Sequence, residues 1–410
     1  ETHHSPARGT GTMTNPPILA VAIVIITTII IRYKQRLLII FNSYTARLAL
    51  RRIVERKKAS SGVHDHDGGD DRPLVSGIFI HPVKSLRPVS LSETKFDRHG
   101  LVADRRLMIV RPNPTPIHGG GFVEGEATHR FFTQRQSPSL ATIEASEPVV
   151  ISKTKTLVRL SSELIPNEHV YVDVGSYAVK SLPVRYRAGL WSDTVEVADV
   201  GDEAAAFVAK VVGKDDPSFA DVRVVSIVES SVRKVSEKYC PDAARIGILG
   251  SLPYGGLTDG FPILVATQAS LDELNKRLSK RGKKELPMSR FRANIVISNT
   301  SKPFEEDNWK AIQIGRGGDS VILHIAKGCP RCKQSCTDQL TGERGEEPLE
   351  TLSEFRALGT SGTTDVYFAQ NAVLNGNVSS SYKGTIRVGD PVTILTRGNP
   401  VWDLETVREE

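Results

Sequence analysis

Apolar residues divide the chain into three stretches of different character. Ile18–Ile31 (ILAVAIVIITTIII) is almost wholly apolar, and no charged residue falls between Gly9 and Ile31. Ala59–Arg72 (ASSGVHDHDGGDDR) has no apolar periodicity. From Leu74 onward, short apolar runs alternate with Pro, Gly and Ser, the pattern of many strands joined by turns. Strands are predicted at Val75–Pro82, Arg106–Val110, Thr142–Ala145, Val158–Leu160, Val170–Val174 and Val184–Tyr186. Others are predicted at Ile295–Ile297, Val321–Ile325, Thr385–Val388 and Val392–Leu395. Asn113–Arg130, rich in Gly and Pro, reads as a long surface loop.

Helical periodicity is confined to three places. Asp202 can cap a helix that buries Ala204, Phe207, Val208 and Val211 and stops at Gly213. Ser270 with Glu273 forms a capping-box pattern ahead of Leu271, Leu274 and Leu278 on one face. Pro348 opens a third helix carrying Leu349, Leu352 and Phe355. The fold class is therefore α+β and β-rich. Its organisation is an N-terminal anchor and basic segment (1–58), a flexible linker (59–73), a β-barrel-like domain (74–205), and a second β-barrel domain with peripheral helices (215–397).

The apolar run is long enough, with its flanks, to serve as a single N-terminal transmembrane helix. Arg32, Lys34 and Arg36 follow it at once, then a second cationic run from Arg47 to Lys58, which places the body on the cytosolic side. A cleaved signal peptide would carry its positive charge before the apolar stretch, and a matrix presequence would be amphipathic and less hydrophobic. The chain begins with Glu1 and its first methionine is Met13; a start there would leave a compact signal-anchor. His64 and His66 sit among Gly and Asp spacers, which supply no rigid frame for a metal.

Charge changes the picture only once it is located. The net charge is +6, but residues 1–60 hold ten Lys/Arg against two acids, leaving −2 for the other 350 residues. The body has no global positive excess for gripping nucleic acid, and none is expected as a partner. Four cysteines are too few for a disulfide framework, and Cys329, Cys332 and Cys336 fall within eight residues, which suggests chemistry in a reducing compartment.

The segment Gly328-Cys329-Pro330-Arg331-Cys332-Lys333-Gln334-Ser335-Cys336-Thr337-Asp338 follows a predicted strand. A thiol beside basic residues can ionise, and a thiolate binds soft metals. The spacing alone leaves several readings open. A structural zinc site needs further ligands, of which Cys336, the remote Cys240 and an ill-spaced His324 are the candidates; a thioredoxin-like pair needs a βαβ setting; an unreactive pair needs only burial.

Taken together, the motifs resemble the MOSC family, in particular its eukaryotic amidoxime-reducing members, across nearly all of residues 74–397. The N-terminal half is similar through Ile80-His81-Pro82-Val83-Lys84-Ser85, Asp104-Arg105-Arg106, Thr133-Gln134-Arg135-Gln136 and Gly201-Asp202-Glu203-Ala204-Ala205. The C-terminal half is similar through Phe261-Pro262-Ile263-Leu264, Phe291-Arg292-Ala293-Asn294, Arg331-Cys332 and the run Gly384–Val392. The resemblance implies a molybdenum–molybdopterin cofactor with Cys332 as catalytic thiolate and metal ligand. It also implies that Lys84, Ser85, Arg105, Arg292, Asn294 and Arg331 hold the pterin and its phosphate, with Asp259, Gly260, Thr267 and Asn371 lining the same site. Guanidinium forks suit phosphate, and an amide can both donate to and accept from a pterin ring. The chain departs from the family at Ser335-Cys336-Thr337-Asp338, where the extra thiol suits packing. Asn113–Arg130 and Gly359–Val366 look longer than usual and could reshape the substrate mouth.

The activity so implied is reduction of N-hydroxylated compounds such as amidoximes and hydroxylamines. No Gly-x-Gly-x-x-Gly turn opens a βαβ unit, so electrons are expected from cytochrome b5 and its NADH-dependent reductase. The outer mitochondrial membrane is the location the resemblance implies. Two alternatives remain: a cofactor or sulfur carrier without N-reductase turnover, and a membrane-tethered zinc-binding interaction protein using Cys329 and Cys332.

Overall fold

The computed structural model describes residues 72–113, 126–153, 155–175, 182, 185–228, 233–246, 251–359, 365–376 and 384–403. The expected transmembrane segment and most of the linker lie outside these. Among the described residues no helix is long and apolar enough to cross a membrane.

The first strands are β1 (Leu74–Ile80), β2 (Val89–Leu91), β3 (Glu93–Asp97), β4 (Gly100–Leu101), β5 (Leu107–Pro112) and β6 (His129–Phe131). A small sheet follows, β7 (Ile143–Ala145), β8 (Val149–Ser152), β9 (Lys155–Ser162) and β10 (His169–Asp173). Then come β11 (Arg185–Leu190), β12 (Asp193–Asp199), helix α1 (Asp202–Val212) and β13 (Arg223–Ile227). The C-terminal half holds β14 (Ile263–Thr267), helix α2 (Gln268–Lys280), β15 (Ile295–Ser298), β16 (Trp309–Ile314) and β17 (Val321–Arg331). It ends with helix α3 (Leu349–Ser353), β18 (Val366–Leu374), β19 (Thr385–Arg387) and β20 (Val392–Arg397).

Strands β11-β12-β13-β5-β6 close into a five-stranded barrel. The second sheet has eight strands in the order β2-β1-β15-β14-β18-β17-β16-β20. Its far strand curls back to β1, where Val75 N–H reaches Asp390 O and Val392 N–H reaches Pro73 O, and Leu74 bridges Pro391. The ends of the second sheet thus approach each other, although among the described residues its strand pairing is not closed as that of the first is.

Several strand pairings cross the expected division at residues 205 and 215. β1 and β2 belong to the C-terminal sheet, β13 closes the N-terminal barrel, and β19 pairs with β3. One buried cluster runs through both halves, joining Val75, Leu107 and Phe207 to Ile263, Trp309 and Leu323. Local hydrophobic pattern marks strands but carries no information about which distant strand completes a sheet.

Helix ends also differ from expectation. The cap of α1 is Gly201, whose φ of 117° is open to glycine; Asp202 is the first helical residue and pairs with Arg223. α2 begins three residues early, with the Thr267 hydroxyl accepting from Ser270 N–H, while Glu273 binds Arg277 one turn on. α3 stops at Ser353, leaving Phe355 outside it. β17 runs six residues past Ile325, because β18 pairs with it as far as Arg331. The expected loops lie partly outside the described residues (114–125 and 360–364); His129 and Arg130 belong to β6.

Candidate active site

β17 ends at Arg331, so the strand delivers Cys332 to the edge of a cavity of about 770 Å³. Just before the thiols, Gly328 is forced by packing: a Cβ there would strike the Trp402 ring. Both halves of the chain build the walls. Lys84, Ser85, Arg105, Arg135 and Trp191 come from the first half, and Asp259, Gly260, Arg292, Asn294, Arg331, Cys332 and Asn371 from the second. Every cofactor residue expected from sequence is among them except Thr267. That hydroxyl lies outside the cavity lining, wholly buried at the start of α2, where it caps the helix and sits within 2.9 Å of Glu306 Oε2.

The lining is strongly cationic, eight Lys/Arg against three Asp. Lys84 is buried and donates to Asp259 Oδ1 at 2.5 Å. Burial pulls its ammonium below the ordinary pKa, an effect Asp259 only partly offsets. Arg292 is buried too, and its guanidinium donates to Leu86 O (2.7 Å) and Gln339 Oε1 (3.0 Å). Burial, reinforced by the neighbouring Arg105, lowers its pKa to about 9. A cation so disfavoured gains from any anion that enters. Below the arginines, His81 is fully buried, and burial together with Arg292 and Arg105 holds its pKa well below the usual value, so the ring is neutral.

Asn294 is largely committed to the frame. Its Oδ1 accepts from Leu264 N–H (3.1 Å) and Arg105 (3.3 Å), and its Nδ2 donates to Phe79 O (3.1 Å). One amide hydrogen is left for a ligand. Gln134 and Gln339 exchange side-chain hydrogen bonds and tie the Ser85 carbonyl to Arg292. Asn371 Nδ2 lies 3.4 Å from Gly328 O. Among the described residues lining the cavity, Ser85 Oγ and Arg331 Nε are buried without a partner. Such atoms are costly unless something satisfies them.

The four thiols are in different situations. Cys332 is half-buried and accepts from Arg135 Nη2 at 2.9 Å; Cys329 accepts from Arg331 Nη1 at 3.0 Å. Cys336 is buried and burial pushes its thiol up, which fits the packing role read from sequence. Burial pushes Cys240 up to about 11. Among the described residues no group of three His, Cys, Asp or Glu could hold a metal, so Cys329 and Cys332 lack the further ligands zinc would need. A single thiolate from the protein instead suits a metal that brings its other donors with it.

The site residues missed from sequence are Arg135, Trp191 and Arg233. Arg135 stood inside a quoted motif, but only the fold brings its guanidinium to Cys332 and against the Trp191 ring, 4.8 Å away. Trp191 occupies the β11–β12 turn with φ 59° and donates to Asp259 from Nε1 at 3.0 Å. Arg233 donates to the carbonyls of Thr258 and Asp259.

The arrangement is that of a β-barrel protein with a guanidinium-bound thiol on the wall of a cationic cavity. A model of the MOSC N-terminal β-barrel domain matches residues 72–215 and one of the MOSC domain matches residues 255–393. The chain belongs to the MOSC family. It is 28% identical to mitochondrial amidoxime-reducing component 1 of Mus musculus over 328 residues, 78% of this chain and 82% of that one. It is 29% identical to mitochondrial amidoxime reducing component 2 of Rattus norvegicus, with the same coverage. Against the molybdenum cofactor sulfurase of Aspergillus niger the identity is 34% over 170 residues, 37% of this chain and only 19% of that protein's length.

Proposed function

We propose that this protein is a molybdenum-cofactor-dependent reductase of N-hydroxylated compounds, amidoximes and hydroxylamines among them, with Cys332 as its metal ligand. The observation that carries the reading is the half-buried Cys332 thiol, hydrogen-bonded to a guanidinium on the wall of a cationic cavity. Arg105, Arg292 and Lys84 would hold the cofactor's phosphate, and Ser85 Oγ and Arg331 Nε offer unused polar atoms to the pterin. When bound, the cofactor supplies the two-electron chemistry that removes oxygen from nitrogen. The protein's part is to fix the thiol, neutralise the phosphate and narrow the access of water. Coverage of 82% of an amidoxime-reducing relative favours an enzyme of that extent.

Electrons would come from cytochrome b5 and its NADH-dependent reductase. Ile18–Ile31 would anchor the chain with its body in the cytosol, at the outer mitochondrial membrane. A second reading, transfer of the cofactor or its sulfur without turnover, is favoured by the higher identity to the sulfurase segment.

The test is molybdenum and pterin content of the purified chain, followed by benzamidoxime turnover with reduced cytochrome b5. Cys332→Ser should lose turnover and most molybdenum, and Cys240→Ser should leave both unchanged. Full turnover in the Cys332→Ser chain refutes the ligand assignment. Cofactor without turnover in the wild type selects the carrier reading.

A further inference from the structure

We propose that the β8–β9 hairpin is a docking tip for an anionic lipid surface. Val149, Val150 and Ile151 are consecutive in β8 and 56%, 73% and 57% exposed. Val149 and Val150 are neighbours in the strand and point to opposite faces, so both can be exposed only where the ribbon stands clear of the body on both sides, and the register shifts at Ile151. β8 bonds to β9 alone and is otherwise an unprotected edge among the described residues. Such a run is costly for solubility and is retained where something covers it.

The surroundings say what covers it. Leu157 pairs with Val149, and Tyr171 pairs with Arg159 two positions along β9, which sets Val149, Leu157 and the 58% exposed Tyr171 on one face of the sheet. Lys153, Lys155 and Arg159 flank this apolar strip, all exposed and none held in an ion pair among the described residues. Of the nearby acids, Asp173 is occupied by the N–H groups of Thr156 and Gly175, leaving Glu147 at the hairpin's base. Branched aliphatic residues at a tip, a tyrosine beside them and free cations around them match the layers of a bilayer interface: acyl chains, headgroup level, anionic phosphate. An unpaired edge would also suit a strand-adding protein partner, and the free cations around it favour lipid.

The test uses the full chain reconstituted in phosphatidylcholine vesicles, with or without phosphatidylserine, and with brominated acyl chains. Val150→Trp places a reporter at the tip; Leu340→Trp, at a position 64% exposed outside the hairpin, is the control. The emission added by Val150→Trp should be quenched at least about twofold more than that added by Leu340→Trp, and more strongly with phosphatidylserine present. Lys153→Glu with Lys155→Glu, added to the Val150→Trp chain, should abolish the phosphatidylserine dependence. Equal quenching of the two reporters, or an unquenched Val150→Trp reporter, overturns the proposal, the latter being the result expected of a protein-docking edge.

Discussion

Eight non-glycine residues have left-handed backbone among the described residues, and four of them, Ser85, Arg105, Trp191 and Arg292, line one cavity. Each costs on the order of 1 kcal/mol or more in a side-chain-bearing residue and persists only where surrounding contacts over-determine it. Here the contacts are visible: Arg105 is held by Asp104 and Asn294, and Arg292 by Leu86 and Gln339. The strain turns two guanidiniums toward one space, where each alone would prefer water. Charge-assisted contacts to a phosphate contribute about 1.5–3 kcal/mol each. Arg292→Ala and Arg105→Ala should therefore each copurify with roughly tenfold less tightly held pterin. The check is pterin content after dialysis; wild-type content in both variants would misplace the phosphate end of the cavity. Lys84→Ala should have a smaller effect, since one ammonium lacks the bidentate fork.

At the scale of the element, the start of α2 is governed by a buried acid. Glu306 is fully buried and accepts from the hydroxyls of Thr267 and Ser270, with Asp307 beside it bound to Arg356. Burial, aided by Asp307, raises its pKa from the ordinary 4.5 to about 7. The folded protein then binds a proton that the unfolded chain has released, so this group's stabilisation is complete below pH 4.5 and is lost as pH rises to about 7. Glu306→Gln should flatten that fall in melting temperature between those limits, measured by calorimetry; an unchanged slope would show that Glu306 is not its source. Thr267→Ala should cost about 0.5–2 kcal/mol through loss of the cap. Its pterin content should stay at the wild-type level, in contrast to the arginine variants.

For the whole molecule, the decisive fact is that strands cross the boundary between the two family domains. β1 and β2 complete the C-terminal sheet, and one core links the halves. All the described elements lie in one compact unit, residues 65–410. Removing residues 1–72 should leave a folded protein that retains its pterin and reduces N-hydroxylated substrates with an artificial donor. The full chain should resist carbonate extraction from membranes. A charge at mid-helix costs about 2.5–3.5 kcal/mol on insertion scales, so Ile25→Arg should weaken retention without changing intrinsic turnover. Release of the wild-type chain by carbonate would overturn the anchor and leave the cofactor argument standing.

The sequence by itself determined the β-rich class and the places of about half the strands, and ten of the eleven residues it singled out line one cavity. Period-two patterns and turn residues are local, and the motifs around Lys84, Arg292 and Cys332 survive as short strings. Tertiary structure alone decided how β1 joins β15, why Thr267 caps a helix, and how Arg135, 197 positions away in the chain, reaches Cys332 with the Trp191 ring against it. Register between distant strands and the sign of φ at a tryptophan depend on packing partners, and no local pattern encodes those.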